Sequence, residues 1–302
     1  MKSLLVYDLE TSGLTPLDQV LQYAAIRLNA ETLEEISREE IEVQWRRDTV
    51  PNIDAYMVHQ IAITGRNAIP ELNAIVDIHQ ALNHPGTQSG GYNTLGFDDE
   101  MLRFAFYRNL LTPYTHQYQD GCGRFDILPM VLFYYLYAPD TIKWPQKTNG
   151  RPSFKLEDLN QENNWVKGRA HDAMVDVEAT VALMRHLRIN RPMWDYMMGY
   201  FDKEQDLGRI QDLSKQAQPY QGVGIMVDLK FGYLSGYQVP LKYIGPHHVY
   251  KNQHVFLRLD KPIEELNEEN FLSYIVKKKL AEPGFVLPYL DRYKDKLSED
   301  MR

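Results

Sequence analysis

The stretch Leu4-Leu5-Val6-Tyr7-Asp8-Leu9-Glu10 constrains the fold of this chain more than any other. It is apolar at odd and even positions alike, so it has no solvent face. That predicts a strand buried on both sides, inside a sheet covered by helices. The run ends in two acids two residues apart, which strand alternation places on one face at the strand's end. Thr11-Ser12-Gly13 then turns the chain. Gln22–Leu28 and Glu40–Trp45 predict two further strands, making a three-stranded meander with a loop around residues 29–31.

Helical spacing follows. Pro70-Glu71 opens a helix running to Leu82, stopped by Asn83-His84-Pro85-Gly86. Asp98–Leu111 carries Leu102, Phe106 and Leu110 on one stripe, and Ile127–Tyr137 predicts a buried helix. Residues 170–189 form the longest helical pattern, with Ala173, Val177, Val181 and Met184 facing inward. Strands first and helices afterwards predict a mixed α/β sheet with helices on both faces. From about Gly222 the chain changes to short strand-like runs, Val223–Leu229, Gln238–Tyr243 and Val255–Leu259, the pattern of a small β-barrel module. The reading is therefore a first domain over 1–201, a polar linker over 202–221, and a β-rich module over 222–302 whose charged tail after Glu264 is helical.

A chain of 302 residues fits about two domains. No apolar run approaches the ~18 residues of a membrane span. Acids at Asp8 and Glu10 interrupt the first apolar stretch, which is not the layout of a signal peptide. A single cysteine, Cys122, rules out an internal disulfide and a cysteine-based zinc site, so the expectation is a reducing, cytoplasmic setting without membrane contact. The net charge of −8 argues against coating nucleic acid by bulk electrostatics, but leaves room for a local basic groove beside an acidic site.

Four acids and one histidine stand out in three segments: Asp8 and Glu10; Asp98; and His171 with Asp176. Hydrolysis of a phosphodiester requires stabilised charge on the attacking and the leaving oxygen. Two divalent ions about 4 Å apart supply it, and hard ions such as Mg²⁺ take carboxylate oxygens. A histidine beside them can take the proton of the attacking water. Each piece has an ordinary reading as well. An Asp-x-Glu at a strand end is usually solvated surface, Asp98 before a helix reads as an N-cap, and His171 reads as surface. Spacing leaves the last segment ambiguous: Asp172 and Asp176 share a face of an ideal helix, whereas His171 and Asp176 do not.

Taken together, Asp8-x-Glu10, Asn93-x-x-x-Phe97-Asp98-x-x-x-Leu102 and His171-x-x-x-x-Asp176 resemble the three motifs of the DEDDh exonuclease superfamily. The text around them, including Gln22-Tyr23-Ala24-Ala25-Ile26-Arg27, Gly91-Tyr92-Asn93, Phe106-Tyr107-Arg108-Asn109 and Pro152-Ser153-Phe154-Lys155-Leu156-Glu157, is similar to the bacterial exonuclease I family. The likeness is close over residues 1–200 and looser through Ile225-Met226-Val227-Asp228-Leu229.

The resemblance implies an RNase H-like domain followed by an SH3-like barrel, and 3′→5′ hydrolysis of single-stranded DNA to 5′-mononucleotides in DNA repair or recombination. It implies metal binding by Asp8, Glu10 and Asp176, with Asp98 completing the carboxylate set and His171 as general base. The cofactor is two Mg²⁺ ions, with Mn²⁺ an alternative. Substrate contacts fall to Glu10, Lys155, Arg103, Tyr114 and Tyr118. Lys155 stands where the family has an arginine, so the charge is kept and the bidentate fork is lost. Arginine among aromatics suits a single strand, giving charge for phosphates and rings for bases.

The family chain continues past the barrel into a helical region and this sequence stops at Arg302, as a truncated form or a shorter relative would, so strong processivity is not expected. Single-stranded DNA is the expected partner, with a single-strand-binding protein as a second, and the chain is expected to be a monomer. The rival expectations are an RNA-trimming or proofreading relative with the same site, and a non-catalytic single-strand binder. Clustered carboxylates beside phosphate speak against the binder, because without chemistry they add only repulsion.

Overall fold

The computed structural model describes residues 2–61, 68–168 and 172–301. It divides into two compact units, the first comprising residues 1–128, 142–145 and 152–189, the second residues 129–141, 146–151 and 190–302.

The first unit is built on strands β1 (Ser3–Thr11), β2 (Val20–Asn29) and β3 (Glu35–Glu42), with β1–β2 and β2–β3 antiparallel. Helices α1 (Ile53–His59) and α2 (Glu71–Leu82) come next, then β4 (Thr87–Gly91), α3 (Asp98–Arg108) and β5 (Gly123–Asp126). Helix α4 (Ile127–Tyr137) starts in this unit and continues in the second; α5 (Leu156–Asn163) and α6 (Ala173–Leu187) complete the first. The sheet order is β3-β2-β1-β4-β5, with β4 parallel to both β1 and β5. It is a mixed five-stranded sheet flanked by helices.

Strand β1 is central and buried on both faces, as its composition predicts. Its odd positions Leu5, Tyr7 and Leu9 join Tyr23 and Ala25 of β2 in a core with α2 and α3. Its even positions Leu4, Val6, Asp8 and Glu10 point the other way, toward the face that packs against α6. That parity brings the acids of β1 and the first turn of α6 to one side of the sheet.

Strands β4 and β5 are absent from the sequence expectation, and β3 is shifted from it. β4 is Thr-Gln-Ser-Gly-Gly, with neither alternation nor branched residues, yet it lies between β1 and β5. Its glycines explain how: a Cβ on Gly90 would meet the Phe125 carbonyl oxygen at 2.1 Å, and one on Gly91 the Tyr7 carbonyl oxygen at 2.3 Å. Backbones approach here too closely for a side chain. β3 lies at 35–42 rather than 40–45, because it is an edge strand held by its backbone, with Ile41 its one buried residue.

The second unit opens with α7 (Arg191–Met198) and α8 (Lys203–Asp212). Thus the stretch read as a linker, 202–221, carries a capped helix: Asp202 accepts the N–H groups of Glu204 and Gln205, and Ile210 is buried. Strands β6 (Val223–Val227), β7 (Gln238–Pro246), β8 (Gln253–Arg258), β9 (Ile275–Lys279) and β10 (Phe285–Pro288) form an antiparallel sheet of order β10-β6-β7-β8-β9. Among the described residues no β9–β10 pairing closes it into a barrel. The tail after Glu264, expected to be helical, holds a short helix, α9 (Asp291–Lys294), and otherwise supplies these two edge strands; Val276, Leu280 and Val286 are buried in the unit's core. Charge misled the reading there, because Lys277 and Lys279 alternate with buried Val276 and Lys278. No helix among the described residues is long and apolar enough to cross a membrane.

Candidate active site

Asp8 and Glu10 occupy the end of β1, and Asp176 lies in the first turn of α6 above them. One carboxylate oxygen from each lies within 4.8 Å of the others. Helix α6 is started by Asp172, whose side chain accepts the N–H groups of Met174 at 3.2 Å and Val175 at 3.4 Å. This settles what spacing left open: Asp172 caps the helix, and Asp176, one turn on, belongs to the cluster. His171, the expected general base, lies outside the described residues.

Asp98 is the first residue of α3, buried, with Phe97 rather than Asp98 in the capping position. It is not one of the three converging donors, but its charge acts directly on Asp8. Burial, then repulsion from Asp98, Asp176 and Glu10, pushes the Asp8 carboxyl well above its ordinary range. The Asp98 carboxyl is pushed up to about 8, chiefly by burial and then by repulsion from Asp126 and Asp99, against hydrogen bonds from its own and the Leu9 amides. Such a group is intolerant of its own charge and gains from a cation.

Two acids absent from the sequence reading hold this arrangement. Asp126, at the end of β5, is buried. Its Oδ1 accepts the N–H groups of Asn93 at 2.9 Å and Leu128 at 3.0 Å, and its Oδ2 that of Leu95 at 3.0 Å. It thereby fixes the short turn Thr94–Gly96 that leads into Asp98, with Asn93 in the left-handed region at φ 63°. Burial pushes its carboxyl up to about 7. Asp99 is joined to His116 Nε2 at 2.9 Å and Arg124 Nη1 at 2.6 Å, tying the start of α3 to β5. Although burial acts to raise it, these partners hold its carboxyl below the ordinary value. The signal available in sequence for Asp126 was its place at a strand end before an apolar helix, but β5 itself was unseen.

Of the expected substrate contacts, Tyr114, Tyr118 and Lys155 are exposed, Arg103 is half-buried, and Glu10 is buried in the cluster. Tyr114 is 48% exposed and Tyr118 64%, so neither is core packing. The Arg103 guanidinium lies over the Tyr114 ring at 4.7 Å, donates to its hydroxyl at 3.2 Å, and pairs with Glu100 at 2.5 Å. Lys155, exposed before α5, pairs with Glu157 at 3.1 Å, and that hydrogen bond raises its ammonium above the ordinary value. The preceding carbonyl, Phe154, accepts the Tyr92 hydroxyl at 2.5 Å, which anchors this segment near the end of β4.

The three converging carboxylates suit a divalent cation of the Mg²⁺ class: all-oxygen donors, close together, with repulsion that a cation relieves. A stability prediction follows. An acid that holds its proton more tightly folded than unfolded favours the fold below its unfolded pKa, and loses that contribution as pH rises through the folded value. For Asp8, Asp98 and Asp126 this window runs from the ordinary 3.8 up to about 8 for Asp98 and about 7 for Asp126. In EDTA the melting temperature is expected to fall across that window. Saturating Mg²⁺ at pH 8 is expected to restore about 2–3 kcal/mol at a hundredfold excess over Kd. A melting curve indifferent to Mg²⁺ would contradict the assignment of a cation to this cluster.

With this geometry established, similarity to known proteins becomes specific. The sequence model of the exonuclease family matches residues 5–184. Exodeoxyribonuclease I of Buchnera aphidicola subsp. Schizaphis graminum is 33% identical over 300 residues, 95% of this chain and 60% of that protein. The enzyme of the same name from Escherichia coli is 34% identical over 210 residues, 68% of this chain and 44% of that one. That from B. aphidicola subsp. Acyrthosiphon pisum is 30% identical, with 95% of this chain and 70% of the relative aligned. The chain thus spans about half of several curated relatives it matches. Among solved structures, E. coli exonuclease I in complex with a dA16 oligonucleotide superposes with a TM-score of 0.87 at 25% identity, over 99% of this chain and 67% of that one. Exonuclease I from Methylocaldum szegediense gives 0.86 at 26% identity, over 99% and 67%. A match over residues 5–184 that takes in Asp8, Glu10, Asp98 and Asp176 places the chain in the exonuclease family, within the bacterial exonuclease I group of the DEDDh superfamily.

Proposed function

We propose that this chain is a metal-dependent 3′→5′ exodeoxyribonuclease that removes 5′-mononucleotides from single-stranded DNA, in repair or recombination. The observation that carries the reading is the convergence of Asp8, Glu10 and Asp176 at the end of a central strand, beside buried Asp98. The relatives named exodeoxyribonuclease I, and the similar structure that holds a dA16 oligonucleotide, support single-stranded DNA as the substrate.

Two Mg²⁺ ions, when bound, offset charge on the attacking and leaving oxygens of the scissile phosphodiester. Asp8, Glu10 and Asp176 would hold them, with Asp98 adding negative charge at their side. Asp126 and Asp99 keep the start of α3 in place, so Asp98 is presented at fixed geometry. Glu10 also orients the terminal nucleotide. His171, just ahead of the Asp172 cap, accepts the proton of the attacking water on its imidazole. Lys155 and Arg103 face phosphates, and the rings of Tyr114 and Tyr118 stack bases. The five short antiparallel strands of the second unit support reading it as an SH3-like module. A single-strand-binding protein is the second partner proposed, and the working form is the monomer.

Matched single-stranded DNA, duplex DNA and RNA of one sequence test the substrate. Release of mononucleotides from the single-stranded DNA alone is expected. Preferential loss of RNA would overturn the DNA assignment, because the contact to the 2′-hydroxyl decides between the two.

A further inference from the structure

The tip of the β7–β8 hairpin, Pro246-His247-His248-Val249-Tyr250-Lys251-Asn252, has a composition unlike an ordinary turn. The His247 and His248 rings stack with centroids 4.8 Å apart and planes 18° apart, and Tyr250 lies 5.2 Å from His247. The arrangement is fixed from beneath. Nδ1 of His247 accepts the N–H groups of Val249 at 3.2 Å and Tyr250 at 3.3 Å, while the His247 N–H donates to the Gln253 carbonyl at 2.8 Å. A ring nitrogen that accepts two amides belongs to a neutral imidazole. His247 is accordingly held below its ordinary value, by burial and then by His248 and Lys277. His248 and Tyr250 nonetheless face water, Tyr250 being 55% exposed, while His247 is half-buried.

The charge within the tip itself has one sign. No acid occurs from residue 246 to 253. Lys277 of β9 stands in the row across from Val255 and Gly245, close enough for its charge to act on His247. Lys279 is paired with Glu282 at 2.5 Å, but Lys277 and Lys251 have no carboxylate partner among the described residues. In a chain of net charge −8, pre-ordered rings flanked by unpaired lysines are a local exception. Rings need a flat apolar face to cover, and lysines need an anion beside it. A single nucleic-acid strand offers both at every residue, a base and a phosphate.

We propose that this hairpin tip is a contact for single-stranded DNA on the second unit, with His248 and Tyr250 stacking bases and Lys277 and Lys251 facing phosphates. The inference rests on the reading of the chain as a nuclease for single strands. Ordering the rings in advance lowers the entropy lost on binding. The contact is independent of base identity, since every base has a face to stack.

The test uses the full chain in EDTA, with fluorescence anisotropy of a long labelled oligothymidylate, and in parallel the Mg²⁺-dependent cleavage of a short one. The combined His248→Ala and Tyr250→Ala variant is expected to weaken binding of the long strand at least about tenfold. Lys277→Gln is expected to flatten the dependence of log affinity on log salt by about 0.7 for one lost phosphate contact. Tyr250→Phe keeps the ring face and is expected to bind as the parent does. Cleavage of the short strand and the melting temperature are expected to be unchanged in all of them. Equal affinity of parent and double variant for the long strand overturns the proposal alone, leaving the nuclease reading intact. A parent that neither binds nor shortens single-stranded DNA overturns both.

Discussion

Asp8→Asn is expected to reduce Mg²⁺-dependent nucleotide release by about 10³-fold or more, while raising the melting temperature of the metal-free protein. The two effects have one cause. Asp8 is partly removed from water and pressed by Asp98, Asp176 and Glu10. An amide of the same shape removes the charge that offends the fold, and removes with it a proposed ligand for the cation. The cation contributes several kcal/mol of transition-state charge stabilisation, and each ~1.4 kcal/mol is tenfold in rate. Stability moves in the opposite sense only where Asp8 is ionised. At pH 8 in EDTA the variant is expected to melt higher than the parent, and near pH 4 the two are expected to coincide. A variant with full activity would remove Asp8 from the metal site, and a lower melting temperature at pH 8 would show that the cluster is not strained. Asp176→Asn is expected to behave likewise, because its carboxylate acts on the same group.

The largest effect on stability alone is expected in the second unit. Asp206 of α8 and Lys278 of β9 are both fully buried, with Oδ2 and Nζ 2.9 Å apart. The same Oδ2 accepts the N–H of Ala281 at 2.9 Å, and the ammonium donates to the carbonyls of Lys279 and Glu282. The pair thus ties a helix to the turn between two strands. Asp206→Ala leaves a buried ammonium without its counter-charge, a change that costs about 3–5 kcal/mol. At ~2–4 °C per kcal/mol for a unit of this size, the melting transition is expected to drop by roughly 10 °C. Pairing Asp206→Leu with Lys278→Met is expected to recover part of that loss, since no buried charge is then left unpaired, although the Ala281 N–H and the Lys279 and Glu282 carbonyls lose their side-chain partners. If Asp206→Ala melts within a degree or two of the parent, the pair does not hold the helix to the sheet.

The sequence disclosed elements whose side chains announce their surroundings. β1 is apolar on both faces and proved central, and α2 runs from Glu71 to Leu82 as its breaker cluster predicts. It concealed elements made by backbone. β4 has two glycines because β1 and β5 pass too close for side chains, and that proximity is a property of the folded sheet. β9 was disguised by three consecutive lysines, one of which is buried against an aspartate 72 positions earlier in the chain. The acids of the cluster were visible as residue types at suggestive spacings. What spacing alone did not decide was whether Asp172 or His171 belonged with Asp176; the capping hydrogen bonds of Asp172 resolve its own part. Asp126 was invisible for a similar reason, since its three partners are backbone amides brought together by the fold.

In the proposed mechanism Asp8, Glu10 and Asp176 serve the stepwise removal of nucleotides from a 3′ end. Its most direct test is digestion of single-stranded DNA labelled at the 5′ end, with Mg²⁺ and with EDTA, resolved at single-nucleotide steps. A ladder shortening from the 3′ end in Mg²⁺ and an intact strand in EDTA are expected. Immediate release of the label as a mononucleotide, or shortening that continues in EDTA, would contradict it.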